Sequence, residues 1–565
     1  MTDPDPARTS AGGRLPAFAY LLLAAVAVAL FLPGFFDLPP FDRDEARFAQ
    51  ASFQMQESGD LVDIRFQEEA RHKKPIGIYW LQAAATELLG GTEPKRIWTY
   101  RVPSLLGAVA SVLATGWAGA RLFGPATGFI AGLLMASCVV LGVEARMAKT
   151  DAVLLATIVA GQGALAALYL GRRGPAPGWA PPLVFWIAAG LGILVKGPIV
   201  LLVSGTTALG LALWDREWAW LKRLKPLAGL AIVAAIAAPW LIAITVKTGG
   251  SFFAESVGHD MMGKVAGGQE GKGLPPGYYL GTFWVTFAPW SFLAPLAAAW
   301  AWANRRTDAV RFCIVWILPS WIVFEAVPTK LLHYTLPVFP AIAILAGAML
   351  AGWMAPRPAG FAEGRGGRPL FAVAAGLGTL GFVALAVAVA LLPWLVDGFI
   401  HPLAVAMVPV ASVLFLLAVR LVAERRVRNG LAAGLAAVGV LYAVAYGAVL
   451  PSVDGIWISR QAARTVARVA PCPGRVVASA GYSEPSLVFL LGTGTRLVDG
   501  AEAARHLAEG GACALALVES RQEAPFRGAL AGTEPVRHGV AEGINYNNGR
   551  RITLTLYSLA SGTRP

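Results

Sequence analysis

The stretch AFAYLLLAAVAVALFLPGFFDLPPFDRDEARFAQ, residues 17–50, passes from a hydrocarbon-soluble run directly into a segment carrying Asp42, Asp44, Glu45 and Arg47. A run of about 20 apolar residues is long enough to cross a bilayer as a helix. The acids behind it therefore stand beside a membrane, where charge is seldom kept without a use.

The same alternation continues along the chain. With 565 residues, 56% hydrophobic, 14% charged and a mean hydropathy of +0.59, the composition excludes an ordinary soluble globule. It reads as an α-helical polytopic membrane protein. Apolar runs predict about thirteen transmembrane helices. They lie near 17–35, 101–121, 124–142, 151–171, 183–196, 198–214, 226–247, 279–303, 309–327, 334–354, 370–395, 399–422 and 429–450. Lys196-Gly197-Pro198 divides a run too long for one crossing.

The net charge of +13 does not point to nucleic acid, because the bases form short clusters between apolar runs rather than one face. They read as topology signals and contacts to anionic lipid headgroups. Arg8, Arg14, Arg172, Arg173, Arg305, Arg306, Arg357, Arg365, Arg368, Arg425 and Arg426 fall on one side, which the positive-inside rule makes cytoplasmic. No A-x-A pattern follows the first run, so it is expected to stay as a membrane helix.

Two regions leave the bilayer. Residues 1–450 form the transmembrane part, with 36–100 as a long first external loop, and residues 451–565 form a polar tail. In that tail RVVASA from Arg475, ALALVE from Ala514 and RITLTLYSL from Arg551 read as strands, with AEAARHLAEG from Ala501 as a helix. This predicts a small C-terminal α/β domain. Cys472 and Cys513 precede two of the strands, so parallel pairing would let them bond or leave them as buried thiols. INYNNGRR, from Ile544, offers hydrogen bonds and a ring to a glycan, but Asn548-Gly549 is a hairpin-turn signal.

The external loops carry the chemistry. Asp44 to Ser58 reads as an interfacial helix with Ala46, Ala49 and Phe53 on one side. His72-Lys73-Lys74-Pro75 opens a second helix, where cations oppose the helix dipole and call for an anion such as phosphate. Further along, Glu144, Arg146, Lys149 and Asp151 lie between the third and fourth runs, and Lys196 lies between the fifth and sixth. The next long external loop holds Glu255, His259, Asp260, Lys264 and Lys272, and Lys330, His333 and Tyr334 precede the tenth run. Singly, such residues are most often caps or snorkelling groups. Jointly, at a cost of about 3 kcal/mol for each unpaired charge near the core, they imply a shared polar cavity.

The motif D-E-x-R-[YF]-A at Asp44 to Ala49, joined to K-P-x-x-x-Y-W at Lys74 to Trp80, resembles the C-type, multi-span glycosyltransferases. It is most similar to the aminoarabinose lipid A transferase branch, with protein O-mannosyltransferases more distant. The motifs of the resemblance fall within residues 15 to 355. It implies a catalytic set of Asp44 as general base, Glu45 and Asp151. It also implies that Arg47, Lys74, Lys196, Lys264 and Tyr334 hold the phosphate of a polyprenyl-phosphate sugar donor, with His72, Lys73, His259, Lys330 and His333 as support.

The implied acceptor is a glycolipid or glycan such as lipid A or core saccharide. The implied place is a bacterial inner membrane, with the active site and the tail in the periplasm. Where the branch has Glu-Lys-Pro this chain has Lys73-Lys74-Pro75, which leaves a divalent metal open with His72 and His259 as the nearby soft ligands. A flippase for a lipid-linked anion and a protein O-glycosyltransferase are the competing readings.

Overall fold

The computed structural model describes residues 13–91, 95–175, 178–266, 273–354, 367–469, 472 and 474–560. Arg8, Lys272, Arg357 and Arg365 lie outside the described residues. The chain opens with helices α1 (Ala17–Phe31), α2 (Asp44–Ser58), α3 (Gly77–Leu88), α4 (Ile97–Phe123), α5 (Pro125–Ala136) and α6 (Val139–Glu144). It continues with α7 (Asp151–Leu170), α8 (Ala180–Lys196), α9 (Ile199–Asp215) and α10 (Pro226–Thr248). Each predicted apolar run contains helix, with 124–142 interrupted at Ser137 and Cys138 and 279–303 interrupted at 287–290. Eight helices among the described residues are long and apolar enough to cross a membrane, and five shorter apolar ones occupy the remaining predicted runs.

Close helix contact explains several glycines. A Cβ on Gly107 of α4 would lie 2.8 Å from the Val153 backbone of α7, so these two helices meet at backbone distance. The predicted division at Lys196-Gly197-Pro198 is real, with α8 ending at Lys196 and Gly197 taking φ 70 to reverse the chain.

The first loop differs from expectation in two ways. The acids in the first turn of α2 suit its N-terminal dipole, and Gly59 ends it in the left-handed region. But α2 does not lie open on the membrane, since nine of its fifteen residues are buried. One side packs with α3, α8 and α10 through Phe48, Met55, Tyr79, Leu194 and Trp240. The other meets the C-terminal domain through Phe53, Tyr100 and Phe489. The second difference concerns α3, which starts at Gly77, so Lys74 sits in the turn ahead of the helix. A short hairpin of β1 (Arg65–Phe66) and β2 (Glu69–Ala70) links α2 to that turn.

The C-terminal segment folds as the predicted α/β unit. Its strands are β3 (Val477–Ala480), β4 (Arg496–Val498), β5 (Leu515–Glu519), β6 (Val536–Asn545) and β7 (Arg550–Ser558), ordered β4-β3-β5-β7-β6. β3 runs parallel to both β4 and β5, while β7 is antiparallel to β5 and β6. That parallel pairing brings Cys472 and Cys513 together as a disulfide with Cα atoms 5.6 Å apart. The helix Gly500–Glu509 opens on a full capping box of Asp499 and Glu502. β4 and β6 escaped the sequence reading, because β4 is three residues long and β6 is broken by charges and glycines.

Candidate active site

Asp44 is the first residue of α2, and the turn before it is strained. Arg43 adopts φ 65 and ψ −103, a conformation costing a non-glycine residue about 1–3 kcal/mol and kept only where surrounding contacts dictate it. One such contact is Glu45. Its carboxylate accepts Nε and Nη2 of Arg101 at 2.8 and 3.0 Å, and the backbone N–H groups of Phe41 and Ala148 at 2.8 Å each. Arg101 uses its remaining donors on the carbonyls of Phe35, Leu38 and Pro39. Glu45 is thus fully consumed in holding the loop, and its neighbour Asp44 is left facing outward.

Asp44 is solvent-accessible yet walled by protein. Burial alone would raise its carboxyl, but the charges of Lys149 and Arg71 outweigh this and hold it below the usual carboxylate range. Lys149 is the hub. Its ammonium lies 3.0 Å from Glu144, and although burial disfavours its charge, Glu144, Asp151 and Asp44 keep it protonated.

His333 sits between Glu144 and Asp151, with ring nitrogens 3.4 and 3.5 Å from their oxygens. Burial pushes its pKa down to about 3, so the imidazole is neutral and offers a single N–H. Lys196 donates to the same oxygen, Asp151 Oδ1, at 2.5 Å and stands over the Tyr334 ring at 5.6 Å from its centroid.

The cationic side follows directly. Asp260 accepts Lys74 at 2.8 Å and Lys264 at 2.7 Å, one carboxylate between two ammonium groups. Burial, then repulsion from Lys264, brings the Lys74 pKa down to about 8. Lys196 adds to that repulsion, so Lys74, Lys196 and Lys264 act on one space. Excess positive charge in a partly dry site favours an added anion.

Glu144, Asp151 and His333 bring one ligand atom each within 4.8 Å of one another, a spacing a metal ion could use. Glu144 Oε1 and Asp151 Oδ1 already accept the ammonium groups of Lys149 and Lys196, whereas Glu144 Oε2 is buried without a hydrogen-bond partner. His72 is committed elsewhere, with Nε2 2.8 Å from Asp63 and Nδ1 3.5 Å from Glu255.

Comparison with known proteins accords with this geometry. Residues 73–242 match the family model described as dolichyl-phosphate-mannose-protein mannosyltransferase. The crystal structure of ArnT from Cupriavidus metallidurans bound to undecaprenyl phosphate superposes with a TM-score of 0.74 at 20% identity, covering 96% of this chain and 98% of that one. This is the C-type glycosyltransferase fold. In sequence the chain is aminoarabinose transferase-like. It is 30% identical over 312 residues to the undecaprenyl phosphate-alpha-4-amino-4-deoxy-L-arabinose arabinosyl transferase of Pseudomonas aeruginosa, covering 54% of this chain and 55% of that one. The enzyme of the same description from Aeromonas salmonicida is 28% identical over 331 residues, covering 57% and 59%. The chain thus spans about half the length of the curated relatives it matches.

Within this C-type fold the expected residues part into two groups. Asp44, Asp151, Lys74, Lys196, Lys264, His333 and Tyr334 converge, and Arg47 contributes positive charge beside Asp44. Others do not join them. Lys330 turns its ammonium to the carbonyls of Phe324 and Glu325, Lys73 and His259 are exposed, and His72 bridges Asp63 and Glu255. Two members of the cluster were not singled out from sequence. Arg71 packs over Phe48 at 5.0 Å beside the buried Tyr79, and both act electrostatically with Asp44. The signal for Tyr79 lay in the K-P-x-x-x-Y-W motif itself, whereas Arg71 stood outside it.

Proposed function

We propose that this chain transfers one sugar from a polyprenyl-phosphate donor to a hydroxyl or phosphate of an envelope glycolipid or glycan such as lipid A. The observation that carries this is an accessible carboxylate, Asp44, in a site where two ammonium groups, Lys74 and Lys264, share the single carboxylate of Asp260. The reaction face is then the periplasmic side of a bacterial inner membrane, with residues 1–450 as the transmembrane part and 451–565 as a periplasmic α/β domain.

In this reading the donor phosphate lies against Lys74, Lys196 and Lys264, with the Tyr334 hydroxyl donating a further hydrogen bond. Asp44 takes the acceptor proton as the acceptor oxygen bonds to the anomeric carbon. The carbon–oxygen bond to phosphate breaks, and its electron pair leaves on a phosphate whose growing charge the fixed ammonium groups stabilise. The depressed pKa makes resting Asp44 a weak base. The arriving phosphate offsets the cations that depress it, so basicity rises when the donor is bound. Asp151, paired to Lys196 and His333, holds those groups in place.

Charges at helix ends favour this over transport of a lipid-linked anion. Asp44 and Asp151 are the first residues of their helices and Lys196 the last of its own, whereas transport sites lie near the midplane. The test is mass spectrometry of envelope glycolipids from cells carrying the wild-type chain or Asp44→Asn. A single-sugar mass present only with wild type is the expected result, and identical glycolipid profiles would refute the reading.

A further inference from the structure

Asp42, two residues ahead of Asp44, is gripped by the C-terminal domain at both backbone and side chain. Its N–H donates to the Tyr546 hydroxyl at 2.6 Å, and its carboxylate accepts the Ser486 hydroxyl. Ser486 lies 2.5 Å from Ser459 Oγ, which lies 3.0 Å from the Tyr482 hydroxyl. Each hydroxyl in that row can donate to the next, and the row ends on Asp42. The segments that carry the two gripping residues are themselves tied together, because Glu484 accepts the side-chain amides of Asn545 at 2.7 Å and Asn547 at 3.0 Å. INYNNG is thus a hairpin turn, as its Asn-Gly step indicates, and its side chains have a second task.

Packing alone does not require this arrangement. Phe41 against Trp457 and Tyr100 against Phe489 already supply apolar contact between the two parts. A buried row of hydroxyls costs desolvation and returns direction, since each bond fixes the next group's position. The direction is spent on Arg43, whose positive φ lies between gripped Asp42 and Asp44. Arg101 fixes the far side of the same turn through Glu45.

We propose that Asp42 is a positioning residue through which the C-terminal domain, by Ser486 and Tyr546, sets where the Asp44 carboxylate stands. The inference rests on the transferase reading above. It makes the C-terminal domain part of the active site without touching substrate.

The test uses the full-length protein in nanodiscs and the doubly substituted Ser486→Ala/Tyr546→Phe, which removes two oxygens and leaves the apolar contacts intact. Amide exchange in the peptide 42–47 is expected to quicken at least tenfold, with residues 72–76 and strand β5 unchanged. Transfer from a polyprenyl-phosphate sugar is expected to lose at least tenfold in kcat with the donor KM within twofold of wild type. Asp42→Asn, which keeps a side-chain acceptor and the backbone N–H, is expected to stay within threefold of wild type, and Asp42→Ala to fall as far as the double variant.

Exchange in 42–47 at the wild-type rate overturns the proposal, as does faster exchange with full kcat, or Asp42→Ala at wild-type activity. If the wild-type chain transfers no sugar, the functional reading falls while the exchange measurement still decides whether the domain grips this turn.

Discussion

Arg101 and Glu45, 56 residues apart in sequence, form an ion pair in which neither side chain has exposed surface. Removing one partner of such a pair leaves a buried charge without compensation, at about 3–5 kcal/mol. Arg101→Ala is therefore expected to lower thermal stability in detergent by that amount, measured as a loss of folded protein on heating before size-exclusion chromatography. Lysine at this position cannot replace the five-donor fork that also serves three carbonyls, so Arg101→Lys is expected to be destabilised as well.

Asp44→Asn should behave in the opposite way. The residue is accessible at a helix start and carries little of the fold, so melting temperature is expected to stay near wild type. Loss of a general base is expected to reduce kcat by about 10²–10⁴-fold. A single-turnover assay on detergent-purified protein with excess donor separates the two effects. Unimpaired turnover would remove Asp44 from the mechanism.

Lys74 provides a pH signature. Its pKa is lowered to about 8, by burial first and by Lys264 next, so the side chain is charged below that pH and progressively neutral above it. Donor recognition by an ammonium group is expected to weaken as pH rises through about 8, as an alkaline fall in kcat/KM, which reports the free enzyme. Arginine stays charged throughout this range, so Lys74→Arg is expected to show no such fall, whatever its absolute rate.

The Cys472–Cys513 bond closes a loop with a sequence separation of 41 in the C-terminal domain. On the chain-entropy model a loop of that size stabilises the domain by about 4 kcal/mol. Reduction followed by alkylation is expected to retard the chain on a gel. Replacing both cysteines by serine is expected to lower the domain's unfolding midpoint in urea while leaving the membrane helices folded.

Much of this protein is legible without coordinates. Apolar length marks the helices, because a bilayer demands about 20 such residues whatever surrounds them. The run 17–35 followed by Asp42, Asp44 and Glu45, together with Lys74 in the same loop and Asp151, Lys196 and Tyr334 between later runs, is a one-dimensional record of polar groups beside apolar runs. The strand patterns around Arg475, Ala514 and Arg551 likewise carry the C-terminal sheet, since strand alternation is local.

Tertiary structure alone decided which of those charges are available. Asp44 and Glu45 are adjacent acids of nearly equal chemistry, yet one stands accessible beside the charges of Lys149 and Arg71 and the other is consumed by Arg101. Lys196 ends α8 and Lys330 lies in the loop after Ala326, and the latter turns to backbone carbonyls while the former meets Asp151. The covering of α2 by Phe489 and its neighbours is equally invisible to a local pattern. The physical reason is that an ionic group's role is set by its nearest partner in space, which for Glu45 is Arg101, 56 residues on, and for Lys196 is Asp151, 45 residues back.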